Sequence, residues 1–250
     1  MKYKRYDKKM NYSYTFGQFP TIELISSGKA KLLALILHEH LTINNEIEKI
    51  ISYAKQNKIE IITSSKQIEA LSGKENCYIV GVFEKYNDHL KNGNHVVLVS
   101  PSDSGNLGTI IRTMLGLGLE NLAIIMQGKK TNNLKELEKR NTSVDIFNPK
   151  VIRASMGSIF NMNIQVFPTF KDYQEKFKNT CYAFCLEGST PLKLVEKKAE
   201  NFSLVFGNES TGLPSEIIEK CLPVRIEQTS KIDSFNLAIS VAIVLYEFTK

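Results

Sequence analysis

Short apolar segments alternate with helix-like segments throughout residues 95–250, and this pattern constrains the fold more than any other feature. The apolar segments include "HVVLVS", "NLAIIM", "CYAFCL" and "FSLVFG". The stretches between them, such as "LGTIIRTMLGLGL" and "FKDYQEKFK", carry apolar residues at helical spacing. Strands without polar alternation are typical of parallel sheets covered on both faces by helices. We therefore predict an α/β domain with a parallel sheet over residues 95–250.

A smaller α/β domain is predicted over residues 21–90. A strand near residues 32–37 precedes the amphipathic segment "INNEIEKIISYAKQNK", the strand "IEIIT", the capped helix "SSKQIEALS" and the strand "CYIVGVF". The polar stretch "EKYNDHLKNGN", residues 84–94, is interpreted as the boundary between the two domains.

Residues 1–20 are treated as a basic and aromatic N-terminal extension. The net charge of the chain is +6, and residues 1–91 hold fourteen Lys and Arg against ten Asp and Glu. Basic side chains on a mobile arm attract phosphate, and aromatic rings can stack on unpaired bases. The aromatic side chains could equally dock the extension onto the domain, and the sequence leaves both interpretations open.

Composition excludes several classes of protein. The chain is 42% hydrophobic and 23% charged, as in ordinary globular proteins. Its longest apolar run, "LAISVAIVLYEF", is too short to cross a bilayer, and its start lacks a secretory signal, so we expect a cytoplasmic protein without a membrane partner. The four Cys and four His are not spaced as metal ligands, so no metal is expected.

The sequence also argues against the common nucleotide-binding loops. The strand "VVLVS" is followed by "PSDSGNLGTIIRT", which lacks the Gly-x-Gly-x-x-Gly turn of dinucleotide-binding domains, and no P-loop motif is present. The elaborate loops instead follow late strands, in "LVFGNESTGLP" and "EQTSKIDSFN". Because ligands of open α/β sheets bind beyond the carboxyl ends of the strands, these loops are the candidate site.

Three segments together resemble, in order and spacing, the motifs of the SpoU/TrmH family of SPOUT-class RNA ribose methyltransferases. In "SGNLGTIIRT" the first motif is met by Asn106, Gly108, Ile110, Arg112 and Thr113. In "LVFGNESTGLP" the second is met by Gly207, Glu209, Gly212 and Leu213. In "DSFNLAISVAIVLYE" the third is met by Ser234, Phe235 and Asn236, with Phe235 where the family usually has Leu. The resemblance covers residues 95–250.

The resemblance implies more than the pattern of residues shows. It implies a deep trefoil knot in the C-terminal domain, S-adenosyl-L-methionine as cofactor, RNA as substrate and a homodimer. It also implies that residues 21–90 form a ribosomal-protein-like domain that binds the RNA substrate.

The resemblance assigns two sets of site residues. The catalytic set is Arg112, Asn106, Glu209, Ser234 and Asn236. The cofactor-binding set is Gly207, Ile226, Phe235 and Leu237. A guanidinium rarely loses its proton, so we expect Arg112 to hold an RNA phosphate and stabilise an alkoxide rather than act as a base. Glu209 could pair with Arg112 or support the neighbouring loop, while Asn106, Ser234 and Asn236 could instead be helix caps.

The expected function is methylation of a ribose 2′-hydroxyl, in ribosomal RNA (23S) in preference to transfer RNA. An alternative is a catalytically inactive RNA-binding or ribosome-assembly protein on the same fold. A nucleotide-binding oxidoreductase is disfavoured by the missing phosphate loop. The loop sequence "RIEQTSKID", with Glu227, departs from the family pattern and could change the affinity for the cofactor.

Overall fold

The computed structural model describes residues 3–73, 76–126, 145–196 and 200–250. The chain divides into two compact units. Unit 1 comprises Met1–Asn87 with Asp145–Asn161, and unit 2 comprises Asp88–Val144 with Met162–Lys250.

The described helices and strands follow the predicted alternation. In chain order they are β1 (Tyr12–Phe16), α1 (Gln18–Ser27), β2 (Leu32–Leu37), α2 (Asn45–Gln56), β3 (Glu60–Thr63), α3 (Ser65–Ser72), β4 (Ile79–Glu84), β5 (His95–Val99), α4 (Ser104–Gly116), β6 (Asn121–Ile125), α5 (Pro149–Ala154), β7 (Asn163–Phe167), α6 (Phe170–Lys176), β8 (Thr180–Phe184), β9 (Thr190–Pro191), β10 (Phe202–Phe206), α7 (Ser215–Ile218), β11 (Leu222–Arg225) and α8 (Leu237–Thr249). Short 3₁₀ helices lie at Ser158–Asn161 and Leu192–Leu194.

Unit 1 is built on a four-stranded sheet in the order β1-β4-β2-β3. β4 runs antiparallel to both β1 and β2, and β2 runs parallel to β3. Two of its helices begin at side-chain caps. Asn44 accepts a hydrogen bond from the N–H of Ile47, and Ser64 accepts one from the N–H of Gln67, which satisfies donors that a helix start leaves unpaired.

Strand β1 lies inside the segment that the sequence analysis treats as an extension. Tyr12, Tyr14 and Phe16 occupy alternate positions and therefore share one face of the strand, where neighbouring rings lie 5.7 and 5.9 Å apart. Tyr14 is fully buried, and Tyr12 and Phe16 pack against the same core cluster. These three aromatic side chains hold the N-terminal segment to the sheet, as the docking interpretation proposed.

Unit 2 contains a seven-stranded parallel sheet in the order β7-β6-β5-β10-β8-β11-β9. The predicted parallel sheet is therefore confirmed. The central strands are buried as the apolar segments indicated, β5 along its whole length and β10 at every residue except Phe202. Phe206 of β10 pairs in register with Leu98 of β5 and Phe184 of β8, so the loops that follow these strands start at the same level.

Two predicted helices are shorter than expected. "IRASMGSIFN" forms only the end of α5 and a 3₁₀ helix, because Met156 and Gly157 have φ values of +54° and +86°. A helix cannot continue through two left-handed residues. "LKLVEKKAE" forms a 3₁₀ helix over Leu192–Leu194, and its residues 197–199 lie outside the described residues.

Within the described ranges, none of the helices is long and apolar enough to cross a membrane. The same residues contain no group of three or more His, Cys, Asp or Glu side chains that could hold a metal ion.

A buried polar network stabilises the amino end of the unit 2 sheet. His95 is fully buried, with Nε2 2.8 Å from the carbonyl oxygen of Lys91 and Nδ1 2.8 Å from the hydroxyl of Tyr173. A carbonyl only accepts, so Nε2 carries the proton and Nδ1 accepts from Tyr173. The Tyr173 hydroxyl in turn lies 2.5 Å from Oγ of Ser203. Burial lowers the pKa of His95, and the Lys91 carbonyl only partly offsets this effect.

The stability of unit 2 should therefore depend on pH through His95. The unfolded histidine binds a proton below its ordinary pKa of 6.5, whereas the folded one resists protonation. We expect the free energy of unfolding to fall as the pH drops below about 6.5, by at most about 1.4 kcal/mol per pH unit. Urea unfolding of the wild type and of His95→Gln at pH 7.5 and 5.5 measures this. An equal decline in both proteins would contradict the assignment to His95.

Candidate functional site

The candidate site is a cavity of about 620 Å³ in unit 2, at the carboxyl ends of the parallel strands. Loops after β8, β10 and β11 form its walls together with the first turn of α4. Eight of the nine residues assigned to the site from sequence line this cavity: Asn106, Gly207, Glu209, Ile226, Ser234, Phe235, Asn236 and Leu237. Arg112 is the one that does not.

Gly207 makes possible the tight loop after β10. Asn208 and Gly212 exchange backbone hydrogen bonds of 3.2 and 2.9 Å, which folds the loop back onto itself. A Cβ atom at residue 207 would lie 2.1 Å from the carbonyl carbon of Gly212 and 2.3 Å from the nitrogen of Leu213. The absence of a side chain at Gly207 therefore allows the end of β10 to lie against the backbone of Gly212 and Leu213.

The Glu209 carboxylate is held at the apex of this loop by five hydrogen-bond donors, the weakest of which is Nδ2 of the neighbouring Asn208, 3.4 Å from Oε2. Oε2 accepts from the N–H of Ser102 (3.1 Å) and from its Oγ (2.8 Å). Oε1 accepts from the N–H of Asp103 and from Nδ2 of Asn106, both at 3.2 Å. Burial raises the pKa of Glu209, but these hydrogen bonds outweigh it and the pKa lies below its ordinary value. Glu209 is thus an ionised acceptor that supports the loop before α4.

The Asn106 side chain connects Glu209 to the start of α8. Because Nδ2 of Asn106 donates to Glu209, Oδ1 is the atom that accepts from Nδ2 of Asn236 at 3.0 Å. Oδ1 of Asn236 then accepts from the N–H of Ala238 and caps α8. The cap of α4 is Asp103, which accepts from the N–H of Asn106 at 2.7 Å. Asn236 is therefore a helix cap, as one interpretation held, whereas Asn106 is not.

Arg112 and Ser234 stand apart from this hydrogen-bonded chain. Arg112 lies on α4 with an exposed side chain, and it forms no hydrogen bond or ion pair with another residue in the described part of the chain. No pair between Arg112 and Glu209 forms among the described residues, so Glu209 has the other role that the sequence left open, which is to support the neighbouring loop. Ser234 is exposed at the cavity and is not a cap.

Sequence reasoning missed part of the cavity wall. Phe184 and Phe206 stack with ring centroids 4.8 Å apart and an interplanar angle of 13°. Cys185, Glu187 and Gln228 also line the cavity. The rule that ligands bind at the ends of parallel strands could have indicated both Phe184 and Glu187, because Phe184 lies near the end of the segment "CYAFCL" and Glu187 follows that segment directly.

The cavity combines an apolar wall with a polar side. Phe184, Phe206 and Leu213 offer apolar surface to a flat ring, and Glu209, Asn106 and Asn236 form a fixed polar edge. Volumes of about 300–1,000 Å³ are typical of sites for small organic ligands. The arrangement suits a nucleoside-sized molecule.

Replacement of Gly207 should disrupt this loop selectively. In Gly207→Ala the new methyl group would collide with backbone atoms, so we expect the free energy of unfolding to fall by about 2 kcal/mol or more. Gly116→Ala is a matched control because nothing lies within 4 Å of a Cβ there, and its effect should stay below about 1 kcal/mol. Urea unfolding of both variants measures the difference; similar small effects would contradict the crowding argument.

Two curated relatives show what this chain is similar to. It is 28% identical over 172 residues to the Bacillus subtilis 23S rRNA (guanosine(2553)-2′-O)-methyltransferase RlmP, over 67% of this chain and 63% of that protein. It is 31% identical over 161 residues to the Methanocaldococcus jannaschii tRNA (cytidine-2′-O-)-methyltransferase TrmJ, over 62% of this chain and 67% of that protein. The chain thus spans about two thirds of the length of these relatives.

A solved structure is similar over nearly the whole chain. The AdoMet-bound rRNA methyltransferase from Sinorhizobium meliloti superposes with a TM-score of 0.77 at 25% identity, over 95% of this chain and 86% of that one. A model of the SpoU rRNA methylase family matches residues 93–246, the part that contains all three motifs and the cavity. The chain therefore belongs to the SpoU rRNA methylase family.

Proposed function

We propose that this protein transfers a methyl group from S-adenosyl-L-methionine to a ribose 2′-hydroxyl in RNA. The observation that carries the proposal is the hydrogen-bonded chain from Glu209 through Asn106 to Asn236, which joins the three family motifs at one cavity. Membership of the SpoU family and the RNA methyltransferase names of the relatives support it.

The residues of the cavity fit the proposed cofactor. Its volume suits a nucleoside joined to an amino acid, its stacked Phe184 and Phe206 offer apolar surface, and the exposed carboxylate of Glu187 complements a cationic ligand. We assign Gly207, Ile226, Phe235 and Leu237 to holding the cofactor. S-adenosyl-L-methionine supplies an electrophilic methyl group on a sulfonium.

The remaining site residues have distinct proposed roles. Glu209 and Asn106 fix the loop before α4 and the start of α8, so that the polar edge of the cavity is preorganised. Ser234 presents its exposed hydroxyl to the substrate side. Arg112, whose guanidinium stays protonated, holds an RNA phosphate and stabilises the developing alkoxide. Its exposure on α4 leaves it free to contact RNA.

Ribosomal RNA is our preferred substrate, with transfer RNA as the alternative. The superposition on the rRNA methyltransferase from S. meliloti extends over 95% of this chain. That match therefore includes the N-terminal unit, where we propose that RNA is recognised.

We assign RNA binding to unit 1, with the ribosomal-protein-like residues 21–90 at its centre, and catalysis to residues 95–250 apart from Asp145–Asn161, which belong to unit 1. Unit 1 holds fifteen Lys and Arg against ten Asp and Glu, so it carries most of the net positive charge. It also has a surface cluster of three rings, in which the ring centroid of His38 lies 5.1 Å from that of Tyr78 and 5.7 Å from that of His40. Positive charge and exposed rings suit an RNA with unpaired bases.

Two further properties of the SPOUT class are proposed for this chain. The first is the deep trefoil knot. Its support is the strand order: β10 comes after β8 in the sequence but lies between β5 and β8 in the sheet.

The second property is a homodimer through α8. Ile239 and Tyr246 of this helix lie seven residues apart and are 50% and 59% exposed. Such apolar side chains on one helix face suit a second copy of the chain.

Replacement of Arg112 should abolish methyl transfer without loss of cofactor binding. With tritiated S-adenosyl-L-methionine and unmodified bacterial RNA, we expect Arg112→Ala to lower the rate by about 100-fold or more, since the alkoxide loses its charge partner. Arg112→Lys should also be strongly impaired because an ammonium lacks the bidentate fork. Affinity for S-adenosylhomocysteine should stay within about twofold of the wild type.

Thr109→Ala is the matched control, because Thr109 is also exposed on α4. It should retain the wild-type rate. A near-wild-type rate for Arg112→Lys would contradict both proposed roles of the fork. Absence of label in any RNA, despite measurable cofactor binding by the wild type, would favour the inactive RNA-binding protein.

Tyr78 tests the RNA-binding role of unit 1. Loss of one stacked base costs about 1–3 kcal/mol, so Tyr78→Ala should raise the KM for RNA about tenfold. Tyr78→Phe keeps the ring and should behave like the wild type. The KM for RNA in the tritium assay measures both. An unchanged KM in Tyr78→Ala would show that this side chain does not contact RNA.

A further inference from the structure

The loop between β11 and α8 supplies four of the assigned site residues, and its middle part has few attachments to the protein. It spans the eleven residues 226–236 and carries Ile226, Ser234, Phe235 and Asn236. The sheet fixes its first end, and the Asn236 cap fixes its last. Residues 229–231, at the tip, are exposed and do not pack against the core. A loop of this length needs another constraint to keep one conformation.

Gln228 provides a direct constraint on the backbone just before Ser234. Its Nε2 donates to the carbonyl oxygen of Asp233 at 2.9 Å and, more weakly, to that of Ile232 at 3.4 Å. The side chain thereby closes a ring over residues 228–233. Gln228 is half-buried and lines the cavity, whereas residues 229–233 are exposed and do not line it.

An ion pair near the start of this loop is weak by comparison. Lys193 and Glu227 form an ion pair at 3.0 Å, but their side chains are 66% and 47% exposed. Exposed ion pairs contribute little because water and salt screen them. This pair also acts on Glu227, before the tip of the loop, and so leaves the backbone at Asp233 unconstrained.

We propose that Gln228 is a positioning residue for the cofactor site, a role that rests on the proposed function. By holding the carbonyl of Asp233, it sets the path of the backbone from which Ser234, Phe235 and Asn236 project. Without it, the free loop samples more conformations, and cofactor binding must first select the competent one. The cost falls on cofactor affinity and not on turnover, because the bound cofactor restores the conformation.

The test compares two substitutions of Gln228. Gln228→Ala removes the side chain, while Gln228→Glu keeps its shape but replaces the donor by a carboxylate that carbonyl oxygens repel. For both we expect about a tenfold higher Kd for S-adenosylhomocysteine, equivalent to about 1.4 kcal/mol, and a matching rise in the KM for S-adenosyl-L-methionine. The kcat at saturating cofactor should stay within about twofold of the wild type.

The control is Lys193→Ala, which removes the exposed ion pair and should leave Kd and KM unchanged. Wild-type affinity in Gln228→Glu would show that the side chain acts by packing and would overturn the proposal. An equal loss of kcat and kcat/KM would overturn it as well, since that pattern marks a group needed in the transition state.

A measurement without cofactor separates this proposal from the proposed function. Backbone NMR order parameters over residues 229–234 should be lower in Gln228→Ala than in the wild type, while those of β10 remain high. Unchanged order parameters would overturn the role of Gln228 even if the enzyme is active. Failure of the wild type to bind S-adenosylhomocysteine would instead refute the proposed function, with the order parameters still deciding whether Gln228 orders the loop.

Discussion

The Glu209 carboxylate joins loops that are about a hundred residues apart in the sequence. It receives hydrogen bonds from Ser102, Asp103 and Asn106, and through Asn106 it fixes Asn236 at the start of α8. Hydrogen bonds to an ionised acceptor are about twice as strong as neutral ones, and the same bonds keep the pKa of Glu209 low. Without this charge, the donors around it would lose their partner, and the polar edge of the cavity would lose its fixed geometry.

The parallel sheet makes this interaction possible. β10 lies between β5 and β8, and Phe206 stands level with Leu98 and Phe184. The loop that carries Glu209 therefore starts beside the loop that carries Ser102, and the two phenylalanine rings stack beneath the cavity. The rigid strands place the loops, and side-chain hydrogen bonds complete their conformation. In our proposal, Gln228 has the same kind of role in the loop between β11 and α8, whose middle part is not fixed by the sheet.

Much of the fold was predictable because local patterns and tertiary packing agree. The apolar segments of β5, β6, β8 and β10 admit only buried strands, and the strand-end rule located the cavity correctly. Where one local pattern has two outcomes, the sequence left the choice open or led to a wrong prediction. Aromatic residues at alternate positions, as in Tyr12–Phe16, suit a buried strand as well as a surface for bases, and only the presence of β4 alongside decides. In the same way, helical spacing in "IRASMGSIFN" could not reveal the left-handed residues Met156 and Gly157.

The sequence by itself determined the parallel α/β unit, the order of the three motifs and the family to which they belong, because these depend on residue type and spacing along the chain. Only the tertiary structure decided which partner each site residue has. Glu209 could pair with Arg112 or with the loop before α4, and the choice depends on strand register and helix direction. In the structure the carboxylate accepts hydrogen bonds from Ser102, Asp103 and Asn106, and Arg112 stays exposed. These pairings depend on distances and directions between atoms that are far apart in the sequence, so only the folded chain decides them.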